Sequence, residues 1–200
     1  MVWSRQFLGR NSVVMAYIDK TLIFEDSKIH YTDNDEELQV MMSWEDDIMK
    51  ASANYVCENG GDILEIGFGM GISANYIQSN NINSHTIIEN HPQIIEKLKV
   101  WAEDKPNVII IEGDWYDVKD SLLTYDGLFY DTFGDENIDS FTTILPTLMK
   151  SGSKATWWNN FTNTDDVFFI DGTTYEAISV NPVSNMYFNS NTYYLPKKEF

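Results

Sequence analysis

The stretch Asp62-Ile-Leu-Glu-Ile-Gly67-Phe-Gly-Met-Gly71 constrains this chain more than any other. An apolar run of strand length leads straight into three alternating glycines, and Ile72–Gln78 then reads as the opening of a helix. Glycine at such a junction lets the backbone turn sharply and approach a ligand with no Cβ in the way. Downstream, the apolar runs Thr86–Glu89, Val108–Glu112, Gly127–Asp131 and Lys154–Trp158 read as further strands. Pro92 at a first helical position starts a helix with Ile94, Ile95, Leu98 and Trp101 as its buried stripe. Asp139–Lys150 reads as a helix kinked at Pro146. Near-continuous apolar strands alternating with helices predict an α/β fold, a doubly wound and mostly parallel sheet covered on both faces. Its ligand crevice lies at the strand C-termini. Thr174–Val180 and Asn191–Leu195 alternate like a hairpin, which predicts an antiparallel finish.

Upstream of the glycines, Val13–Ile18 reads as a short helix or strand. Thr21–Glu25 and Lys28–Thr32 flank Asp26-Ser27 as a tight hairpin, and Asp33–Glu37 reads as a polar break. A helix is expected from Ser43, with Ser43 and Asp46 as a capping box, Trp44, Ile48, Ala51 and Tyr55 on one face, and Gly60-Gly61 as its stop.

Composition narrows the chemistry. The formal net charge is −18, from 31 acidic and 13 basic residues, a field that repels nucleic acid and favours cationic partners. The two arginines, Arg5 and Arg10, fall in the first ten residues. A pocket for an anionic substrate usually employs arginine forks, so a cationic or neutral substrate is expected. Cys57 is alone and His30, His85 and His91 are scattered, so no metal site is expected, and the thiol reads as buried and inert. The sequence shows neither a run of about eighteen apolar residues nor a signal-peptide core, so no membrane association and a cytoplasmic location are expected.

The spacing of the glycines chooses the cofactor class. A dinucleotide loop reads G-x-G-x-x-G, which disfavours a nicotinamide enzyme here, because the glycines stand at 67, 69 and 71. Glu65 precedes the first by two positions, and E-x-G-x-G-x-G resembles motif I of class I methyltransferases that use S-adenosyl-L-methionine (SAM). Glu89, with Asn90 behind it, ends the next strand, where a carboxylate can accept ribose hydroxyls. Asp114 and Trp115 offer an acid and an aromatic for the adenine edge and face. Asp131 ends the fourth strand, which faces the reactive end of a cofactor in this fold, and is the best single catalytic candidate.

Met41-Met42-Ser-Trp44-Glu45, Leu64–Gly71, Ile87-Ile-Glu89, Gly113-Asp-Trp115 and Tyr130-Asp131-Thr132 together resemble the guanidinoacetate N-methyltransferase family and the related fungal arginine δ-N-methyltransferases. The likeness runs from about Thr21 to Trp158. It implies a Rossmann-like class I methyltransferase with a seven-stranded sheet, a single domain over 1–200 and an N-terminal lid over 1–42. It implies that Glu45 and Asp131 bind the guanidinium, with Trp44 beside them, and that Met41 and Met49 line the cofactor. Gly67, Phe68, Gly69, Met70 and Gly71 would wrap its methionyl part, Glu89 hold its ribose, and Asp114 and Trp115 its adenine. Asn160, Phe161 and Thr162 follow the fifth strand, where backbone amides would receive the carboxylate of guanidinoacetate. The tail after Thr162 is short, and the helix expected between the fifth and sixth strands is reduced or missing.

The expected reaction is therefore methyl transfer to a small cationic guanidino substrate, guanidinoacetate to creatine first, by a monomer or homodimer. Arginine methylation in a protein is the alternative, against which 200 residues leave no room for a separate recognition domain. A SAM-binding regulatory protein without turnover is a third reading, disfavoured by the presence of Glu45 and Asp131.

Overall fold

The computed structural model describes residues 16–166 and 168–200. Val13–Met15, Arg5 and Arg10 lie outside them, and Tyr17–Asp19 forms a single 3₁₀ turn. Strands β1 (Ile23–Phe24), β2 (Lys28–Asp33) and β3 (Glu36–Met42) form a small antiparallel sheet. The first hairpin turns at Asp26-Ser27 as the sequence predicts. The polar break does not exist as such: Asn34 and Asp35 have φ of 50° and 65° and make a two-residue hairpin turn, after which β3 begins at once. Asn and Asp tolerate this left-handed conformation, so two residues suffice where five acids and amides suggested a loop.

Ser43–Glu45 then makes a 3₁₀ turn into α1 (Asp46–Val56). The expected capping box is displaced by one residue. Glu45, not Asp46, reaches back to the Met42 N–H at 2.7 Å, and Asp46 instead accepts from the Tyr76 hydroxyl at 2.9 Å. The buried stripe of α1 is Ile48, Met49, Ser52, Ala53 and Val56, rotated from the expected face because this helix packs on both the sheet and its neighbouring helix.

The glycine stretch sits at the centre of the main sheet. Strand β4 (Asp62–Ile66) leads into α2 (Ile72–Gln78), then β5 (Ser84–Glu89), α3 (Pro92–Ala102), β6 (Val108–Glu112), α4 (Trp115–Val118), β7 (Tyr125–Tyr130) and α5 (Phe141–Ile144). Next come β8 (Met149–Trp157), β9 (Thr174–Ser179) and β10 (Thr192–Glu199). The order is β6-β5-β4-β7-β8-β10-β9, with the first five parallel and β10 antiparallel to both its neighbours, β8 and β9. This is the Rossmann-like, seven-stranded, mostly parallel sheet that the alternation predicts. Among the described residues no helix lies between β8 and β9.

One departure follows from Pro146. The expected helix over 139–150 breaks into a 3₁₀ turn, the four-residue α5 and a second 3₁₀ turn over Leu145–Leu148. Proline removes an N–H from the ladder, and the chain enters β8 at Met149 rather than Lys154. Ser151-Gly-Ser153 is thus an irregularity inside the strand, where its register against β7 shifts.

Helices cover both faces. Ile63, Phe129, Ile48, Met49, Ile77 and Tyr193 pack between the sheet and α1–α2, and Ile87, Ile94 and Leu98 continue this layer under the small sheet. Leu64, Ile66, Leu128, Tyr130, Phe141 and Trp157 fill the other side. Strand parity decides the site: Glu65 is level with Ile87 and Phe129, so Glu65, Glu89 and Asp131 belong to one face. Among the described residues no helix is long and apolar enough to cross a membrane.

Gly127 is where α1 meets the sheet. A Cβ there would lie 2.1 Å from the Val56 carbonyl oxygen, a backbone atom with nowhere to go. Gly127→Ala is expected to destabilise the fold by about 3 kcal/mol, the upper end of overpacking, in urea titrations followed by circular dichroism. A midpoint equal to wild type would refute this account of the α1–β7 contact.

Candidate active site

The glycine loop is a cradle by backbone necessity. Gly67 and Gly69 adopt φ of 93° and 53°. A Cβ would meet the Asp131 carbonyl oxygen at 1.9 Å from Gly67, and the Met41 Sδ at 2.5 Å from Gly69. The loop is fastened from two sides. Its Gly67 N–H donates to the Ile88 carbonyl at 2.9 Å, and the Met70 N–H donates to the Met41 Sδ at 3.2 Å. Glu89 Oε2 accepts the Phe68 N–H at 3.0 Å, while its Oε1 accepts from Asn90 and His91 at 2.9 and 2.8 Å. Burial pushes the Glu89 carboxyl up, against these N–H groups, which hold it down. A left-handed glycine cradle with a carboxylate at the end of the neighbouring strand fits SAM, whose methionyl part needs close backbone and whose ribose needs acceptors. Asp114, at the end of β6, accepts the Tyr116 N–H at 2.8 Å and caps α4.

Strand β7 brings the second half. The Asp131 N–H donates to the Ile66 carbonyl at 2.9 Å, stitching the ends of β7 and β4 together directly below the cradle. Glu45 arrives from the turn before α1 and is 4% exposed. Burial and then the charge of Asp131 push its carboxyl up to about 8, although the Tyr187 and Met42 hydrogen bonds oppose this. Asp131 is half-buried, and shielding from water followed by the charge of Glu65 pushes it up to about 7. Among the described residues no lysine, arginine or histidine pairs with either. Trp44, next to Glu45 in the chain, is stacked on Tyr187 and Phe188 with centroids 5.9 and 5.7 Å apart.

Other sequence-predicted residues sit differently. Glu65 is fully buried, accepting from the Ser73 hydroxyl and facing His85 Nε2 at 2.9 Å, so it holds α2 to the sheet rather than opening on the crevice. Met49 is fully buried in the core beneath Glu45. Trp115 is 3% exposed, its indole packed edge-on against Tyr130 and its N–H donating to Asp135 at 2.6 Å. Phe68 is buried against Trp101. After β8, the Asn160 Oδ1 accepts the Trp158 indole N–H at 2.7 Å, the Phe161 N–H donates to Asn159 Oδ1 at 3.0 Å, and Thr162 is exposed.

Sequence reasoning missed Tyr187 and Phe188, whose adjacent rings in an Asn-rich tail were the available signal. It also missed Tyr17, which packs on Phe133 and His91 at 4.9 Å each and senses the charge of Glu89. Asp135 is a further hub, accepting from Trp115, Tyr130 and the Asn137 N–H. The Cys57 thiol is buried and pushed up to about 12. Among the described residues no cluster of three His, Cys, Asp or Glu side chains forms a metal site.

Comparison with known proteins places the chain in a family. The family model for guanidinoacetate N-methyltransferase matches residues 15–154. Protein arginine N-methyltransferase 2 of Candida glabrata is 42% identical over 136 residues, covering 62% of this chain and 31% of that protein. The protein of the same name from Saccharomyces cerevisiae is 30% identical over 220 residues, covering 92% of this chain and 53% of that one. The chain therefore spans about half or less of the length of these curated relatives. Among solved structures, the precorrin-6y C5,15-methyltransferase of Geobacter metallireducens superposes with a TM-score of 0.59 at 17% identity, over 76% of this chain and 87% of that one. The spermidine synthase of Thermotoga maritima does so with 0.58 at 12%, over 90% and 72%. Those two likenesses concern the fold alone. With the family model covering more than half of the chain and the glycine cradle, strand order and relatives in accord, the chain belongs to the guanidinoacetate N-methyltransferase family of class I SAM-dependent methyltransferases.

Proposed function

We propose that this enzyme methylates the guanidino group of arginine, with Glu45 and Asp131 holding the guanidinium and accepting its proton. The observation that carries the reading is the pair of shielded carboxylates that no cation neutralises among the described residues. Sheltered acids without a partner are costly, and a planar cation with five N–H donors supplies what they lack. When bound, SAM supplies an electrophilic methyl group. Guanidinium nitrogens are poor nucleophiles while protonated. Two carboxylates can localise the charge on two nitrogens and take a proton from the third, whose lone pair is then free. Carboxyls near 7 and 8 are bases matched to neutral pH. Met41 and Gly67 to Gly71 would hold the methionyl part, Glu89 the ribose and Asp114 the adenine, with the β1–β3 sheet as the lid of a single domain.

Arginine is preferred to guanidinoacetate for two reasons. The curated relatives are named protein arginine N-methyltransferases. Of the amides expected to receive an acetate carboxylate, that of Phe161 is also engaged elsewhere, donating to Asn159 Oδ1 at 3.0 Å.

Incubation with radiolabelled SAM and a panel of arginine peptides, free arginine and guanidinoacetate tests the substrate. Label is expected on arginine; label on guanidinoacetate alone would return the reading to creatine formation. Asp131→Asn is expected to lower turnover by at least about 100-fold while calorimetric SAM affinity holds. Unimpaired turnover in that variant would remove Asp131 from the chemistry.

The raised carboxyls also carry a stability signature. The folded chain keeps protons that the unfolded chain gives up, so the stability they contribute is full at acid pH and is lost as pH rises through about 7 to 8. Glu45→Gln removes one such titration. Its melting temperature is expected to gain on wild type between about pH 4.5 and about pH 8 in scanning calorimetry. A difference that stays constant across that range would contradict the raised carboxyl.

A further inference from the structure

The tail segment between β9 and β10 enters the acceptor side from 142 residues away. Tyr187 Oη donates to Glu45 Oε1 at 2.6 Å, and the same oxygen accepts the Met42 N–H at 2.7 Å. Two donors on one oxygen fix the plane of the carboxylate. Oε2 accepts no hydrogen bond from the described residues. Burial, then the charge of Glu45, its hydrogen bond and the charge of Asp131 hold the phenol far above its ordinary range, so Tyr187 stays a donor.

The segment that delivers Tyr187 is itself held. Asn185 Oδ1 accepts the N–H groups of Tyr187 and Phe188 at 3.0 and 2.7 Å. The Met186 N–H reaches Gln39 Oε1 of β3 at 3.2 Å. Two residues beyond Gln39 lies Met41, whose sulfur touches the glycine cradle. The rings of Trp44, Tyr187, Phe188 and Trp158 cluster where Tyr187 meets Glu45: Trp44 lies at 29° and 21° to Tyr187 and Phe188, and Trp158 stands edge-on at 69° to both. Ring faces attract a planar cation through their quadrupole, a guanidinium above all.

We infer that the tail segment completes the acceptor site, with Tyr187 as the residue that positions Glu45 and with Trp44, Phe188 and Trp158 as an aromatic wall that selects a planar cation. This rests on the guanidino reading above. A ring needed only for packing has no use for a hydroxyl aimed at a buried carboxylate. The titratable groups around Glu45 are Asp131, Tyr187 and Tyr193, with Glu65 behind Asp131. None of them is a cation, so Tyr187 and the Met42 N–H are what hold Glu45 toward its charged form.

The test compares Tyr187→Phe and Tyr187→Ala with wild type, using the full chain, SAM and the best guanidino acceptor of the panel. Phe keeps the ring and loses the donor. Turnover is expected to fall about tenfold at neutral pH, with acceptor KM and SAM affinity little changed. The acid limb of the pH profile of kcat/KM should move to higher pH, since Glu45 loses a group that held it down. Ala also opens the wall, so KM should rise as well. Wild-type turnover and an unmoved acid limb in Tyr187→Phe would overturn the inference. Failure of wild type to methylate any guanidino compound would instead overturn the underlying reading, and shows before any variant is made.

Discussion

Four acids shielded on one side of the central sheet govern this structure, and they differ in what the fold sets around them. Glu65 is answered inside the protein, by the Ser73 hydroxyl and His85. Glu89 is answered by backbone N–H groups of the very loop it borders. Among the described residues Glu45 has only neutral donors, the Tyr187 hydroxyl and the Met42 N–H, and no cation pairs with it or with Asp131. An unpaired shielded carboxylate either binds a proton or binds a cation. That choice, poised near neutral pH, is what a guanidinium site needs.

The two halves of the site are mechanically one. Met41 lies against the glycine cradle, Met42 gives its N–H to Glu45, and both belong to the strand that anchors the tail segment through Gln39. Displacement of β3 therefore moves the glycine cradle, Glu45 and the tail segment together. The small sheet is seated on α3 through Leu22, Ile29, Ile94 and Leu98, and Leu22 and Gln93 exchange two further hydrogen bonds at 2.7 and 3.3 Å. Its seat on the main domain is thus apolar with a polar latch.

The acidity of the chain has a local counterpart here. Surface lysines pair with surface acids, as Lys150 does with Asp62 and Asp126 at 3.1 and 2.7 Å, and among the described residues none pairs with Glu45 or Asp131. Exposed pairs of this kind contribute little stability. They do leave the field at the site negative, which favours a cationic acceptor in approach as well as in binding.

Periodicity and punctuation determined most of the architecture: strand alternation, Pro92, the glycine spacing and the antiparallel finish were legible because each is a local backbone constraint. Position at the end of a predicted strand likewise made Glu89 and Asp131 legible. Whether a carboxylate faces a crevice or a buried histidine was not local, and Glu65 differs from Asp131 only through what the fold sets opposite each. Trp115, whose ring the core claims, and the register of α1 were decided the same way, by packing between elements far apart in sequence. Tyr187 was the least legible of all, since its meaning is one hydrogen bond to Glu45. The sequence by itself determined that a SAM-type glycine loop follows a strand of a parallel sheet, because turn geometry is written residue by residue. Only the tertiary structure decided which acids stay unpaired beside it, because neutralisation depends on neighbours that the chain brings together only by folding.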